Sequence, residues 1–300
     1  MLKKYGIIFL LTFVNALSFT ILIPVLPYVV KIYNQPEIIL WILFATYSLF
    51  QFLAAPLLGT LSDKYGRKPI LILTQLGTFI SWVILWIAYT LPETQIFWYV
   101  LLPVLIIFLS RMFDGITWGN ISVAQAMIAD VTEKKDRSKI FGINSAVFGF
   151  SLVIWPAIGS LSLSLSLWFL GTAIIWGIIS ATALWIMFFF LNESLAEEKR
   201  QKDIVITLKS INIWGKVKKW SHIPLIQYTL VMRLFIFSAF IIYTTVSALY
   251  LIDVFWFSAD KVWYYLTFTG TFLIFHQAVS IRYIVWKFGD TKALFIGMLI

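Results

Sequence analysis

The sequence predicts an all-α polytopic membrane protein, and three observations carry that prediction. Of the 300 residues, 61% are hydrophobic and 12% are charged, about half the ~25% charged share of a soluble domain. Apolar runs of ~20 residues, long enough to cross a bilayer as a helix, recur about nine times. Nineteen of the 23 Lys and Arg residues gather on one side of those runs. A water-soluble chain of this length would not bury so much apolar surface. An ordinary cytosolic enzyme and a disordered chain are therefore excluded. Cysteine is absent, which removes any disulfide framework, thiolate nucleophile or Cys-based metal site.

Open sheet edges are not tolerated in hydrocarbon, so each run is expected to be a helix. The first lies near residues 5–30. Lys3 and Lys4 before an apolar stretch mimic a signal peptide, but the run is too long for a cleaved h-region and reads as a retained helix. The next five lie near 38–61, 69–91, 98–129, 140–162 and 166–191. A polar segment, 192–224, rich in Glu and Lys, follows, and then runs near 225–251, 261–286 and from 291 onward. The expected domains are an N-terminal six-helix bundle (1–191), a central loop (192–224) and a partial C-terminal bundle (225–300).

With the N-terminus in the cytoplasm, Lys3, Lys4, Lys64, Arg67, Lys68, Lys134, Lys135, Arg137 and Lys139 fall on the cytoplasmic side. So do seven basic residues of 199–219, together with Arg282, Lys287 and Lys292. The opposite side has Lys31 and Lys261, while Arg111 and Arg233 lie within runs. A split of 19 to 2 is a strong positive-inside signal. It predicts a multi-pass protein of the cell (inner or plasma) membrane. The net charge of +9 then belongs to loops facing lipid headgroups, and no nucleic-acid partner is expected.

Shifting the first half by 223 residues places Lys64-Tyr65-Gly66 on Lys287-Phe288-Gly289 and Glu37 on Asp260. Two parallel six-helix halves form a transporter plan, which leads to an expectation of about three further helices after Ile300. A natural nine-helix protein is the alternative.

The loop between the second and third runs reads Gly59-Thr-Leu-Ser-Asp63-Lys-Tyr-Gly66-Arg67-Lys68-Pro69. It resembles the G-x-L-x-D-x-x-G-R-R/K signature loop of the major facilitator superfamily. Gly59 would permit close helix approach, Gly66 the tight turn, and Asp63 would pair with basic residues. The resemblance implies that this loop latches two halves on the cytoplasmic side. Arg111-Met-Phe-Asp-Gly115-Ile-Thr-Trp-Gly119 is similar to a second stretch of that superfamily, R-x-x-x-G-x-x-x-G. Pro24-Val-Leu-Pro27, Ala129-Asp130-Val-Thr132 and Asp136-Arg137-Ser-Lys-Ile-Phe-Gly142 resemble its tetracycline-efflux-like, drug–proton antiporter branch. Three positions depart from the branch. Asn15 stands where an acidic residue is frequent. The fifth run keeps only Pro156 and Gly159 of the antiporter signature. Trp286 takes the place corresponding to Asp63.

Arg111 is the central candidate residue. A charge at mid-membrane costs at least ~2.5 kcal/mol, so it must face protein or a water-filled cavity. Asp114, three residues on, shares its helical face, which continues through Trp118, Ser122 and Gln125. The stripe reads either as a pathway lining or as a buried ion pair that only positions helices. Asn15 and His276 are further pathway candidates, His276 because it titrates near neutrality. Arg233 is placed to snorkel. Asn192-Glu193-Ser194 matches a glycosylation sequon on the wrong side of the membrane, and no site is read there.

No Walker loop, zinc-protease motif or nucleophile elbow is present, so neither an enzyme nor a cofactor is expected. The expected function is secondary transport of a small-molecule substrate by alternating access, as proton-coupled efflux. A non-transporting membrane sensor or assembly protein, and a non-functional fragment, are the alternatives. There are 14 Trp against 15 Gly, and Trp118, Trp155, Trp256 and Trp263 occupy places where the resemblance implies glycine. Drift is one explanation. Decoding of UGA as glycine, translated here as tryptophan, is another.

Overall fold

A computed structural model describes residues 2–97, 100–162, 168–201, 215, 218, 222–275, 283–284 and 287–289. Its helices are α1 (Leu2–Ile32), α2 (Glu37–Tyr65), α3 (Arg67–Thr90), α4 (Leu102–Trp118), α5 (Ile121–Val131), α6 (Arg137–Ser162), α7 (Trp168–Phe190), α8 (Pro224–Asp253) and α9 (Ala259–Phe275). These occupy eight of the expected apolar runs, with α4 and α5 sharing the fourth; the run from residue 291 lies outside the described residues. Glu37–Tyr65, Arg67–Thr90, Leu102–Val131 and Leu170–Phe190 are long and apolar enough to cross a membrane.

Local chemistry sets the breaks. Gly66 adopts φ 106°, ψ 161°, a backbone state suited to glycine, so α2 reverses into α3 with a single residue between them. The fourth run begins later than the sequence suggested. Gln95–Phe97 and Val100–Leu101 form a short antiparallel hairpin, and helix starts at Leu102. Pro103 sits in the first turn of α4, where a missing N–H costs nothing. The Leu102 N–H instead bonds the Thr94 carbonyl at 2.8 Å. Between α4 and α5 the helix is offset at Gly119 and Asn120, where the Asn120 N–H bonds Thr117 O at 3.1 Å rather than the fourth carbonyl back.

In the first half, α4 packs against α2 and α3, α3 against α7, and α1 against α6 and α7. Two apolar clusters result. One, toward the α1–α2 turn, holds Leu22, Val25, Leu26, Trp82, Leu85 and Trp176, and it extends to Leu251, Ile252 and Val262 of α8 and α9. The other, toward the α2–α3 turn, holds Tyr5, Leu11, Leu58, Leu71, Met127 and Leu191. The later helices dock on this body through α1 against α8 and α6 against α9. Phe188, Phe189 and Phe190 stay exposed on α7, as an apolar face turned to lipid does.

Candidate functional site

The polar centre is built on α4. Gly115 and Gly119 bring it against α2. A Cβ at Gly115 would strike the Tyr47 carbonyl, and one at Gly119 would lie 2.9 Å from the Ala55 nitrogen. Such backbone approach is open only to the smallest residue. Gly77 of α3 faces the Thr117 methyl in the same way, a close approach the sequence analysis missed. Gly59 shows no such approach: among the described residues a Cβ there meets nothing within 4 Å.

This close packing seals Arg111 and Asp114, at 3% and 0% exposure, into an ion pair with Nη1 to Oδ2 at 3.1 Å. Ser81 Oγ of α3 donates to Asp114 Oδ1 at 3.4 Å, and Ser110 Oγ donates to the Ser81 carbonyl at 2.8 Å. One turn on, Thr78 and Thr117 hydroxyls meet at 3.0 Å. Next, Asn120 donates to Thr74 Oγ1 at 3.1 Å and accepts from Asn15 Nδ2 at 3.1 Å. Trp118 donates its indole N–H to the Asn15 carbonyl at 3.0 Å. Thr12, three residues before Asn15, donates to Asn144 of α6 at 2.9 Å. The result is a ladder of buried polar side chains through the first half. Two of its atoms, Arg111 Nε and Asn15 Oδ1, are buried without a hydrogen-bond partner among the described residues. Leaving such an atom unsatisfied costs about 1–3 kcal/mol.

Asn15, Arg111 and Asp114 are thus brought together. Gln125 is not; it and Ser122 lie on the exposed side of α5. The offset at Gly119–Asn120 rotates the stripe that an unbroken helix would have kept on one face. His276 lies outside the described residues. Pro156 and Gly159 fall within α6, over a stretch where only the backbone is described. Arg233 is exposed on α8 with its guanidinium 5.8 Å from the Phe237 ring centroid.

The α2–α3 turn forms a second polar cluster. Arg67 pairs with Asp63 at 2.6 Å and with Asp130, at the end of α5, at 3.1 Å. It also donates to Ser62 Oγ at 2.6 Å. Glu193, just past α7, places its carboxylate on the N-terminus of α3. Oε1 accepts from the Arg67 N–H at 2.9 Å and Oε2 from the Lys68 N–H at 3.1 Å. A carboxylate satisfies the orphan donors there and complements the helix dipole. Gly66 is favoured by its positive φ, and a Cβ there would also have to displace the Glu193 carboxylate from its place on α3. The bonds described for this turn come from residues up to Gln201, whose N–H reaches the Asp63 carbonyl at 3.0 Å. Among the described residues they tie the turn to α5 and to the segment that follows α7. Sequence reasoning missed Glu193. The available signal was an acid directly after an apolar run, beside a turn rich in N–H donors and basic groups.

A helical body with paired helix contacts, a buried ion pair on a segment long and apolar enough to cross a membrane, and a glycine-locked reversal after its second helix are features of a polytopic helical membrane protein. Residues 8–300 match the Major Facilitator Superfamily, and the chain belongs to that family. It is 30% identical over 292 residues to the tetracycline resistance protein, class C, of Escherichia coli, covering 95% of this chain and 68% of that protein. It is 28% identical over 298 residues to the class B protein of the same organism, covering 96% and 68%. The chain therefore spans about two thirds of the length of these relatives. The structure of the human organic anion transporter MFSD10 (TETRAN) has the same fold, with TM-score 0.69 and 22% identity over 92% of this chain and 71% of that one.

Proposed function

We propose that this chain moves a small molecule across the cell membrane by alternating access, as proton-coupled efflux. The observation that carries the reading is the Arg111–Asp114 pair, buried within the helical body with the Arg111 Nε–H unsatisfied among the described residues. A pair of this kind is expensive to bury and is no better for stability than well-packed apolar residues. Within membrane helices, ionisable groups mark substrate or proton pathways. Asp114 is the proton carrier in this reading. Protonation removes the charge that holds the Arg111 guanidinium, which releases it to rearrange as the halves rock. The names of the tetracycline resistance relatives support efflux of a drug-like, amphipathic solute.

The proposed halves are residues 1–191 and 225–300, joined by a cytoplasmic segment, 192–224, with a cytoplasmic N-terminus. The α1–α2 turn then faces outward and the α2–α3 turn inward. Everted membrane vesicles from cells expressing the gene test the function. With an imposed pH gradient, acid inside, they accumulate labelled tetracycline or another amphipathic probe, and a protonophore abolishes the accumulation. Vesicles that take up no probe from a broad amphipathic panel contradict the reading.

A further inference from the structure

Lys31, in the last turn of α1, forms an ion pair with Asp253, in the last turn of α8. The bond crosses from the first half to the later helices. Under the 223-residue offset Lys31 falls on Val254, next to Asp253. The two helix ends are therefore near-equivalent positions of the repeat, meeting where an axis relating the halves would pass. Asp253 is also misplaced for helix stability, since an anion at a helix C-terminus opposes the dipole. Its partner is what makes the position tolerable. Beneath the pair, Leu26 and Val29 of α1 are buried in one cluster with Leu251 and Ile252 of α8 and Val262 of α9. Beside it opens a cavity of about 360 Å³ whose lining includes Asn34, Gln35 and Glu37 as well as Lys31.

We propose that Lys31 and Asp253 form an electrostatic latch on the outer gate, lying over an apolar plug that closes the transport pathway to the outside. The proposal rests on the transport reading, which supplies the outward direction and the need for a gate. The plug supplies most of the closure, because its side chains are apolar and buried. The pair, with side chains 46% and 37% exposed, is reached by water, and partly screened pairs are weak. Its loss shifts the open population by about two- to fivefold. The latch thus sets the resting bias, and a weak latch is one that thermal motion breaks on each cycle.

The test uses a single cysteine in this cysteine-free chain. Val29→Cys lies under the latch, and Asn34→Cys, exposed at the rim, reports insertion and sidedness in every variant. Intact cells are treated with a membrane-impermeant maleimide. With Asp253→Asn or Lys31→Gln, labelling at residue 29 rises about two- to fivefold, while labelling at residue 34 stays constant. The charge exchange Lys31→Asp with Asp253→Lys returns residue 29 to its original rate. Unchanged labelling at residue 29 in the neutral variants overturns the latch. So does an exchange that fails to restore protection, or labelling of residue 34 only after permeabilisation. The readout needs no substrate. A latch that responds in cells whose vesicles transport nothing would leave the gate standing and remove the transport reading.

Discussion

Arg111 donates to the Asp114 carboxylate at 3.1 Å from one turn earlier on the same helix, and neither side chain reaches solvent. Ser81 of α3 donates to the carboxylate at 3.4 Å, and Ser110 of α4 donates to the Ser81 carbonyl and accepts a long bond, 3.5 Å, from Arg111 Nη2. An ion pair one turn apart on one helix does not tie two helices together. Helix positioning here comes from Gly115 and Gly119 against α2 and from the threonine and asparagine bonds to α1 and α3. As structural ties the charges add only the 3.4 Å bond from Ser81 of α3 to Asp114, which is why they are read as working parts.

Stability separates the pair from its parts. Arg111→Ala leaves Asp114 buried and unpaired and lowers the unfolding free energy by about 3–5 kcal/mol. Removing both charges, as Arg111→Ala with Asp114→Ala, recovers most of that loss, because no isolated charge remains. Denaturant titration of purified protein in detergent measures both. Equal losses in the single and double variants would show that packing, not charge, is at stake.

In the proposed mechanism, proton dependence rests on Asp114. Asp114→Asn holds the side chain neutral at every pH, so transport in that variant becomes independent of the pH gradient. Uptake measured over a series of gradients reads this directly. An unchanged dependence would move the coupling to His276 or to a group elsewhere in the protein.

Much of this was legible in the sequence. Apolar runs located the helices, because a bilayer demands ~20 residues of them. The signature loop located the α2–α3 turn, and spacing by three placed Asp114 beside Arg111. Features that depend on helices far apart in sequence were hidden. Glu193 reaches its partners across more than 120 residues, and no local pattern announces that contact. Gln125 was misplaced because a one-residue offset at Asn120 cannot be seen in a hydrophobic pattern. Val100 and Leu101 were read as the start of the fourth helix because they continue its apolar run, whereas they pair with Gln95–Phe97 as strand.

The Glu193 cap is measurable. Glu193→Ala strips the carboxylate from the Arg67 and Lys68 N–H groups and costs about 0.5–2 kcal/mol, as loss of a helix N-cap does. Gly66→Ala adds a strained φ and a contact with the same carboxylate, and destabilises by about 1 kcal/mol or more. Thermal melting in detergent distinguishes these from a surface change, which would stay within about 0.5 kcal/mol.

Tryptophan positions divide under the structure. Trp118 is accommodated: it is buried, its N–H is bonded to Asn15, and its ring lies 5.9 Å from that of Tyr47. Trp256 is not, with φ 55° and a side chain 86% exposed. A bulky residue in the left-handed region is strained by roughly 1–2 kcal/mol, and glycine removes that strain. Trp256→Gly is expected to stabilise the protein by about that amount. The side chains of Trp155 and Trp263 fall outside the described residues. If the codon at 256 is UGA, peptide mass spectrometry of the native protein will show glycine there; UGG ends the decoding explanation.

In the proposed function the Arg111–Asp114 pair works in transport rather than in packing. Vesicle uptake driven by an imposed pH gradient, compared across the unaltered protein, Arg111→Ala and Arg111→Ala with Asp114→Ala at matched membrane levels, tests it most directly. Both variants are expected to insert and neither to accumulate the probe, even though the double variant regains stability. Restored uptake in the double variant would contradict it.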